Sequence, residues 1–106
     1  QNKMMAEVPE ADVVIVNPTH YAVALKWSQK RNEAPICVAK GVDEIAKRIR
    51  EIAQEAGVPI HRDPPTARAL HETTQIGEEL APDFYRAVAA AIRFAEDMRQ
   101  RARFGV

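Results

Sequence analysis

The residues with the most chemistry to offer are Asn17-Pro18-Thr19-His20, set directly after the apolar run Val13-Val14-Ile15-Val16. Ordinary succinimide formation uses the backbone N–H of the residue after an asparagine, and Pro18 has none. The reverse route remains open. The Asn17 side-chain amide nitrogen attacks the Asn17 backbone carbonyl, closes a succinimide and expels the Pro18 nitrogen, which cuts the chain. Pro18 also biases Asn17 toward extended backbone. Asn-Pro is equally a common turn dipeptide, so two readings stand at this point: a turn that ends a strand, or a self-cleavage site.

In the second reading Asn17 is both the nucleophile and the owner of the scissile carbonyl. An amide nitrogen is a poor nucleophile, so the fold must supply the acceleration. A half-life of years corresponds to a barrier of about 28 kcal/mol and one of minutes to about 21 kcal/mol. The fold must therefore remove roughly 7 kcal/mol. Near-attack geometry supplies part of this, turn strain could add ~1–3 kcal/mol, and donors aimed at the developing oxyanion supply the rest. If residues 17–20 form a turn, His20 can come back toward the scissile bond. Its role is then to help protonate the departing Pro18 nitrogen, or only to hold the loop in shape. Thr19 orients the turn through its hydroxyl. Loss of Asn17 is expected to abolish the reaction, and loss of His20 or Thr19 to slow it.

The surroundings of the tetrapeptide extend the argument. Ala11-Asp12 precedes the apolar run and Tyr21-Ala22-Val23-Ala24-Leu25 follows the motif. Further on come Pro35-Ile36-Cys37-Val38-Ala39-Lys40-Gly41, Ala46-Lys47-Arg48-Ile49-Arg50-Glu51, Val58-Pro59 and Pro64-Pro65-Thr66-Ala67-Arg68-Ala69-Leu70. In this order, over nearly the whole chain, these segments resemble the cytoplasmic domain of the FlhB/YscU family of type III export switch proteins. Tyr21-Ala22-Val23-Ala24 and the double proline look like the flagellar branch. Thr66 stands where that pattern has leucine, and His71 where it has tyrosine; both departures lie away from the cleavage motif.

The resemblance implies a compact four-stranded sheet with surrounding helices and self-cleavage between Asn17 and Pro18. It also implies a change of export substrate class, from rod and hook proteins to filament proteins. The implied partners are other export-apparatus proteins, export substrates and a hook-length ruler protein. A membrane tether through a missing N-terminal region would place the chain on the cytoplasmic face of the bacterial inner membrane, at the flagellar basal body. Pro64, Pro65 and Arg68 are a candidate docking patch, against the plainer reading of a helix start with a solvated arginine.

At 106 residues the chain is of single-domain size. Hydrophobic content of 46% with 28% charged residues argues against disorder. Fifteen basic and fifteen acidic residues cancel, which argues against general nucleic-acid binding. No apolar stretch approaches the roughly 18 residues that span a bilayer. The start, Gln1-Asn2-Lys3, is neither an initiator methionine nor a secretory signal, so an excised piece of a longer protein is expected. Residues 1–10 read as its connector and residues 11–106 as the switch domain.

Periodicity supplies the elements. Residues 12–16 read as a strand covered on both faces, Tyr21–Trp27 as a second, and Ile36–Ala39 as a third, punctuated by Gly41; residues 28–34 form a polar loop. Val42, Ile45, Ile49, Ile52 and Ala56 share one face at helical spacing, and Gly57 ends that helix. Residues 58–61 make a short fourth strand. Asp63 caps a helix with Pro64 at its first position, which runs to about Thr74 and is broken by Gly77. Pro82-Asp83 opens the last helix, with Phe84, Val88, Ala91, Ile92, Ala95 and Met98 as its apolar stripe. Arg99, Arg101 and Arg103 close it and could approach anionic lipid near a membrane. Alternating strands and helices define an α/β layer fold with a small mixed sheet.

Other constellations carry less. His20, His61, His71 and Cys37 are zinc-type ligands without compact zinc spacing, and no metal or cofactor is expected. Cys37 lies in an apolar run and reads as a buried thiol. Three functions follow: a single-turnover self-cleaving switch, a non-cleaving interaction module of the same fold, or a small hydrolase using His20 or Cys37.

Overall fold

Val13–Val16 are all buried, as befits a strand with neighbours on both edges and cover on both faces. A computed structural model describes residues 3–28, 30 and 32–104. Within the 28–34 loop, Gln29 and Arg31 lie outside the described residues. Strand β1 (Val13–Asn17) turns into β2 (Tyr21–Lys26), and β3 (Ile36–Val42) follows. Helix α2 (Asp43–Ala56) carries the chain across the sheet to β4 (Ile60–Arg62); α1 (Lys3–Glu7) precedes the first strand. Helices α3 (Pro64–Thr73) and α4 (Tyr85–Phe104) complete the fold. The strand order is β3-β2-β1-β4. β1 pairs antiparallel with β2 and parallel with β4, and β2 pairs antiparallel with β3.

Alternation along β1 divides the core. Val13 and Ile15, with Val23, Leu25 and Cys37, pack under α3 and α4. Val14 and Val16, with Ala22, Ala24 and Ala39, pack under α2 and around Val8. The expected α/β layer fold with a small mixed four-stranded sheet is the one observed.

Four local expectations need correction. Helix α2 buries Ala46, Ile49 and Ala53, whereas Val42 and Ile45 of the expected stripe are 40% and 42% exposed and Ala56 is exposed. The sheet face beneath is alanine-rich, so the helix comes close through Ala46 and Ala53 with Ile49 between them, while Ile45 and Ile52 flank the contact. Gly41 lies inside β3 rather than ending it, because Ile45 folds over the bare Cα. A Cβ there would collide with Ile45 Cγ2 and lie 2.6 Å from Ile45 Cβ. The fourth strand begins at Ile60, since the Val58 N–H is used on the Ala53 carbonyl (2.8 Å) to close the end of α2. Met98 is 47% exposed and outside the core stripe. The expected caps are present: Gly57 is left-handed at φ 75°, and Asp63 accepts from the Thr66 N–H at 3.4 Å.

Candidate functional site

The motif occupies the β1–β2 hairpin. Asn17 is the last residue of β1 and pairs with Tyr21, the first of β2, so Pro18, Thr19 and His20 form the whole connection. The His20 backbone N–H donates to the Asn17 carbonyl oxygen at 2.9 Å. That oxygen belongs to the Asn17–Pro18 bond and would carry the negative charge if the carbonyl were attacked. One peptide earlier, the Asp63 N–H donates to the Val16 carbonyl at 3.0 Å. The chain is thus held on both sides of the Asn17 Cα. Asn17 and Pro18 are half-buried, and Thr19 and His20 are exposed.

Pairing and alternation place Asn17 on the face of Val13 and Ile15, beside Tyr21. Tyr21 is braced by a tilted ring contact with His71, centroids 5.2 Å apart. Lys40 Nζ donates to the His71 carbonyl at 2.9 Å. Burial, with Lys40 adding to it, lowers the pKa of His71, and Glu72 acts in the opposite direction. His71 is therefore neutral at pH 7 and serves the packing of Tyr21.

The His20 side chain meets the start of α2. Its Nδ1 lies 3.7 Å from Asp43 Oδ1, an ion-pair distance longer than a hydrogen bond. The Asp43 N–H donates to the His20 carbonyl at 3.0 Å. Asp43 has φ 47°, in the left-handed region, which aspartate enters more readily than most residues. Sequence reasoning missed Asp43; an aspartate just past a strand end was its only signal. It also missed the backbone N–H of Asp63, which no side-chain motif announces.

The remaining candidates are dispersed. Pro64, Pro65 and Arg68 sit on the first turns of α3, where Pro65 and Arg68 are exposed and Arg68 Nε pairs with Glu72 Oε2 at 3.2 Å. Cys37 is fully buried, and burial pushes its thiol up to about 11, which leaves it protonated and a poor nucleophile at neutral pH. His61 is in ring contact with Phe94 at 5.5 Å. Among the described residues, no group of three or more His, Cys, Asp or Glu stands together to hold a metal ion.

The chain is a two-sided α/β sheet that carries Asn-Pro-Thr-His as its first hairpin turn, and its relatives are proteins of the type III export apparatus. Residues 1–95 match the family described as FlhB HrpN YscU SpaS, and the chain belongs to that family. It is 49% identical over 94 residues to the flagellar biosynthetic protein FlhB of Aquifex aeolicus, covering 89% of this chain and 27% of that protein. With the Salmonella typhimurium FlhB it shares 44% over 100 residues, 94% of this chain and 26% of the relative. The chain thus spans about a quarter of the length of these relatives. The crystal structure of the cytoplasmic domain of FlhB from Shewanella putrefaciens superposes with a TM-score of 0.88 at 44% identity, covering 95% of this chain and 78% of that one. A mutated EscU C-terminal domain gives 0.84 at 27% identity, covering 90% and 95%. Identity thus ties the chain to the flagellar branch more closely than to EscU.

Proposed function

We propose that this domain cuts its own backbone between Asn17 and Pro18, once per molecule, and that the cut enables a flagellar export apparatus to change substrate class. The observation that carries this reading is the His20 N–H held 2.9 Å from the Asn17 carbonyl oxygen. In the reaction the Asn17 Nδ2 bonds to the Asn17 carbonyl carbon, and charge collects on the oxygen facing that N–H. The bond to Pro18 nitrogen then breaks, and the proton lost by Nδ2 ends on the new amino terminus. A single preorganised donor of this kind is worth about 3 kcal/mol, close to half of the roughly 7 kcal/mol required. Half-burial of Asn17 and restraint of both flanking peptides supply orientation. His20 assists proton delivery to Pro18, and Thr19 shapes the turn.

Cutting leaves residues 13–16 paired with β2 and residues 14–16 paired with β4, so both pieces stay in one folded unit while Pro18 begins a free end. In this account residues 1–10 connect to membrane-spanning helices, and the domain faces the cytoplasm at the flagellar basal body. Its partners are other export-apparatus proteins, export substrates and a ruler protein, with Pro64, Pro65 and Arg68 as one docking patch. Among the described residues no helix is long and apolar enough to cross a membrane.

A second reading, an interaction module that works by binding, is favoured by one observation. An apolar groove of about 540 Å³ runs between the 27–35 loop and α4, lined by Trp27, Pro35, Tyr85 and Ile92 among others. Its volume and mainly apolar lining suit a short apolar peptide segment. Switching assays in cells carrying Asn17→Ala separate the two readings: the first expects export locked on early substrates, the second expects a normal switch.

A further inference from the structure

His20 is held at three points, and two of them belong to one residue. Its N–H goes to Asn17, its carbonyl accepts from the Asp43 N–H at 3.0 Å, and its ring nitrogen Nδ1 faces Asp43 Oδ1 at 3.7 Å. Asp43 is itself fixed. It is the first residue of α2, with φ 47°, and sits two residues beyond Gly41, whose bare Cα lets Ile45 fold down onto β3. The carboxylate therefore projects from a helix end that is already tied by a backbone bond to the cleavage turn.

We propose that Asp43 is a positioning residue for the cleavage reaction, its carboxylate holding the His20 imidazole with Nδ1 turned toward α2. This rests on the self-cleavage reading above. A carboxylate facing Nδ1 selects the tautomer protonated there and leaves Nε2 as the nitrogen that exchanges a proton. The exchange is with the Pro18 leaving nitrogen, which must gain a proton as its bond to Asn17 breaks. The backbone half of the contact sets where the His20 peptide lies; the carboxylate sets the ring. Both side chains are exposed, at 65% and 73%, so the effect is modest.

The substitution Asp43→Gly isolates the carboxylate, because glycine keeps the left-handed backbone and the N–H to the His20 carbonyl. Asp43→Asn keeps the acceptor oxygen and tolerates the same backbone. Cleavage is followed by pulse-chase in cell-free translation, which catches each chain before it is cut. The expected result is a slowing of about three-fold in Asp43→Gly, in line with an exposed pair, and recovery of the lost rate in Asp43→Asn. In a His20→Ala background Asp43→Gly has no further effect. Wild-type speed in Asp43→Gly overturns the proposal, and so does equal slowing with and without His20. A wild-type chain that never cuts overturns the self-cleavage reading along with it, and is recognised because no variant cuts either.

Discussion

The amide of His20 points at the carbonyl oxygen of Asn17, 2.9 Å away, across a turn of three residues. This donor belongs to the backbone, so side-chain substitution at position 20 leaves it in place. His20→Ala is therefore expected to slow cleavage only several-fold. Replacing the residue-20 amide by an ester removes the N–H, and by semisynthesis should slow cleavage about a hundredfold. Time courses of the two semisynthetic chains check the ordering.

Gly41 lies where no Cβ fits. Gly41→Ala sets a methyl against Ile45 Cγ2 and 2.6 Å from Ile45 Cβ, a backbone-anchored conflict that costs about 1–3 kcal/mol. Ile45 is 42% exposed, so Ile45→Ala alone costs less. The double variant should recover only part of the Gly41→Ala loss, because alanine at position 45 removes Cγ2 but keeps the Cβ at 2.6 Å. Urea unfolding of the four chains measures the coupling.

Arg99 reaches from α4 to the carbonyls of Ala11 and Asp12 at 3.3 and 3.0 Å, while Asp12 Oδ2 accepts from the Trp27 N–H at 2.7 Å. The guanidinium thereby ties the segment before the cut to a helix after it. Arg99→Leu should lower stability by about 1 kcal/mol, since the side chain is partly solvated. In the cut protein it should also speed release of residues 1–17. Dissociation under dilute urea, followed by size-exclusion chromatography, reads the second effect.

Cys37 predicts an alkaline weakness. Its thiol is raised from 9.0 to about 11 by burial, so from pH 9 the unfolded chain gives up a proton that the folded chain keeps. Stability present below pH 9 is lost as pH rises toward 11, by about 3 kcal/mol over the whole span. Cys37→Ala should abolish that part of the slope in unfolding curves taken between pH 8 and pH 10.5.

Much of this fold was legible in the chain because its signals are local. The run Val13–Val16 announces a covered strand, Gly57 and Asp63 announce helix ends, and Asn17-Pro18 announces the turn. What was not legible depends on how surfaces approach. Isoleucine spacing pointed to Ile45 as buried, yet the alanine face of Ala22, Ala24 and Ala39 draws in the alanines of α2 instead. The start of β4 depended on where the Val58 N–H was already used. At the site, the side chains of the motif were visible in sequence, but the donors around it were not. The His20 and Asp63 amides are backbone groups, and Asp43 meets His20 only because β3 and α2 join at a left-handed residue.

Intact mass under denaturing conditions, comparing the wild-type chain with Asn17→Ala, tests the central claim most directly. The account predicts that wild type separates into residues 1–17 and 18–106, with the smaller piece lighter by one water while the succinimide survives, and that Asn17→Ala stays whole. A wild-type chain that remains a single 11.8 kDa species after prolonged incubation would contradict it, leaving the fold and the family in place and the switch to binding alone.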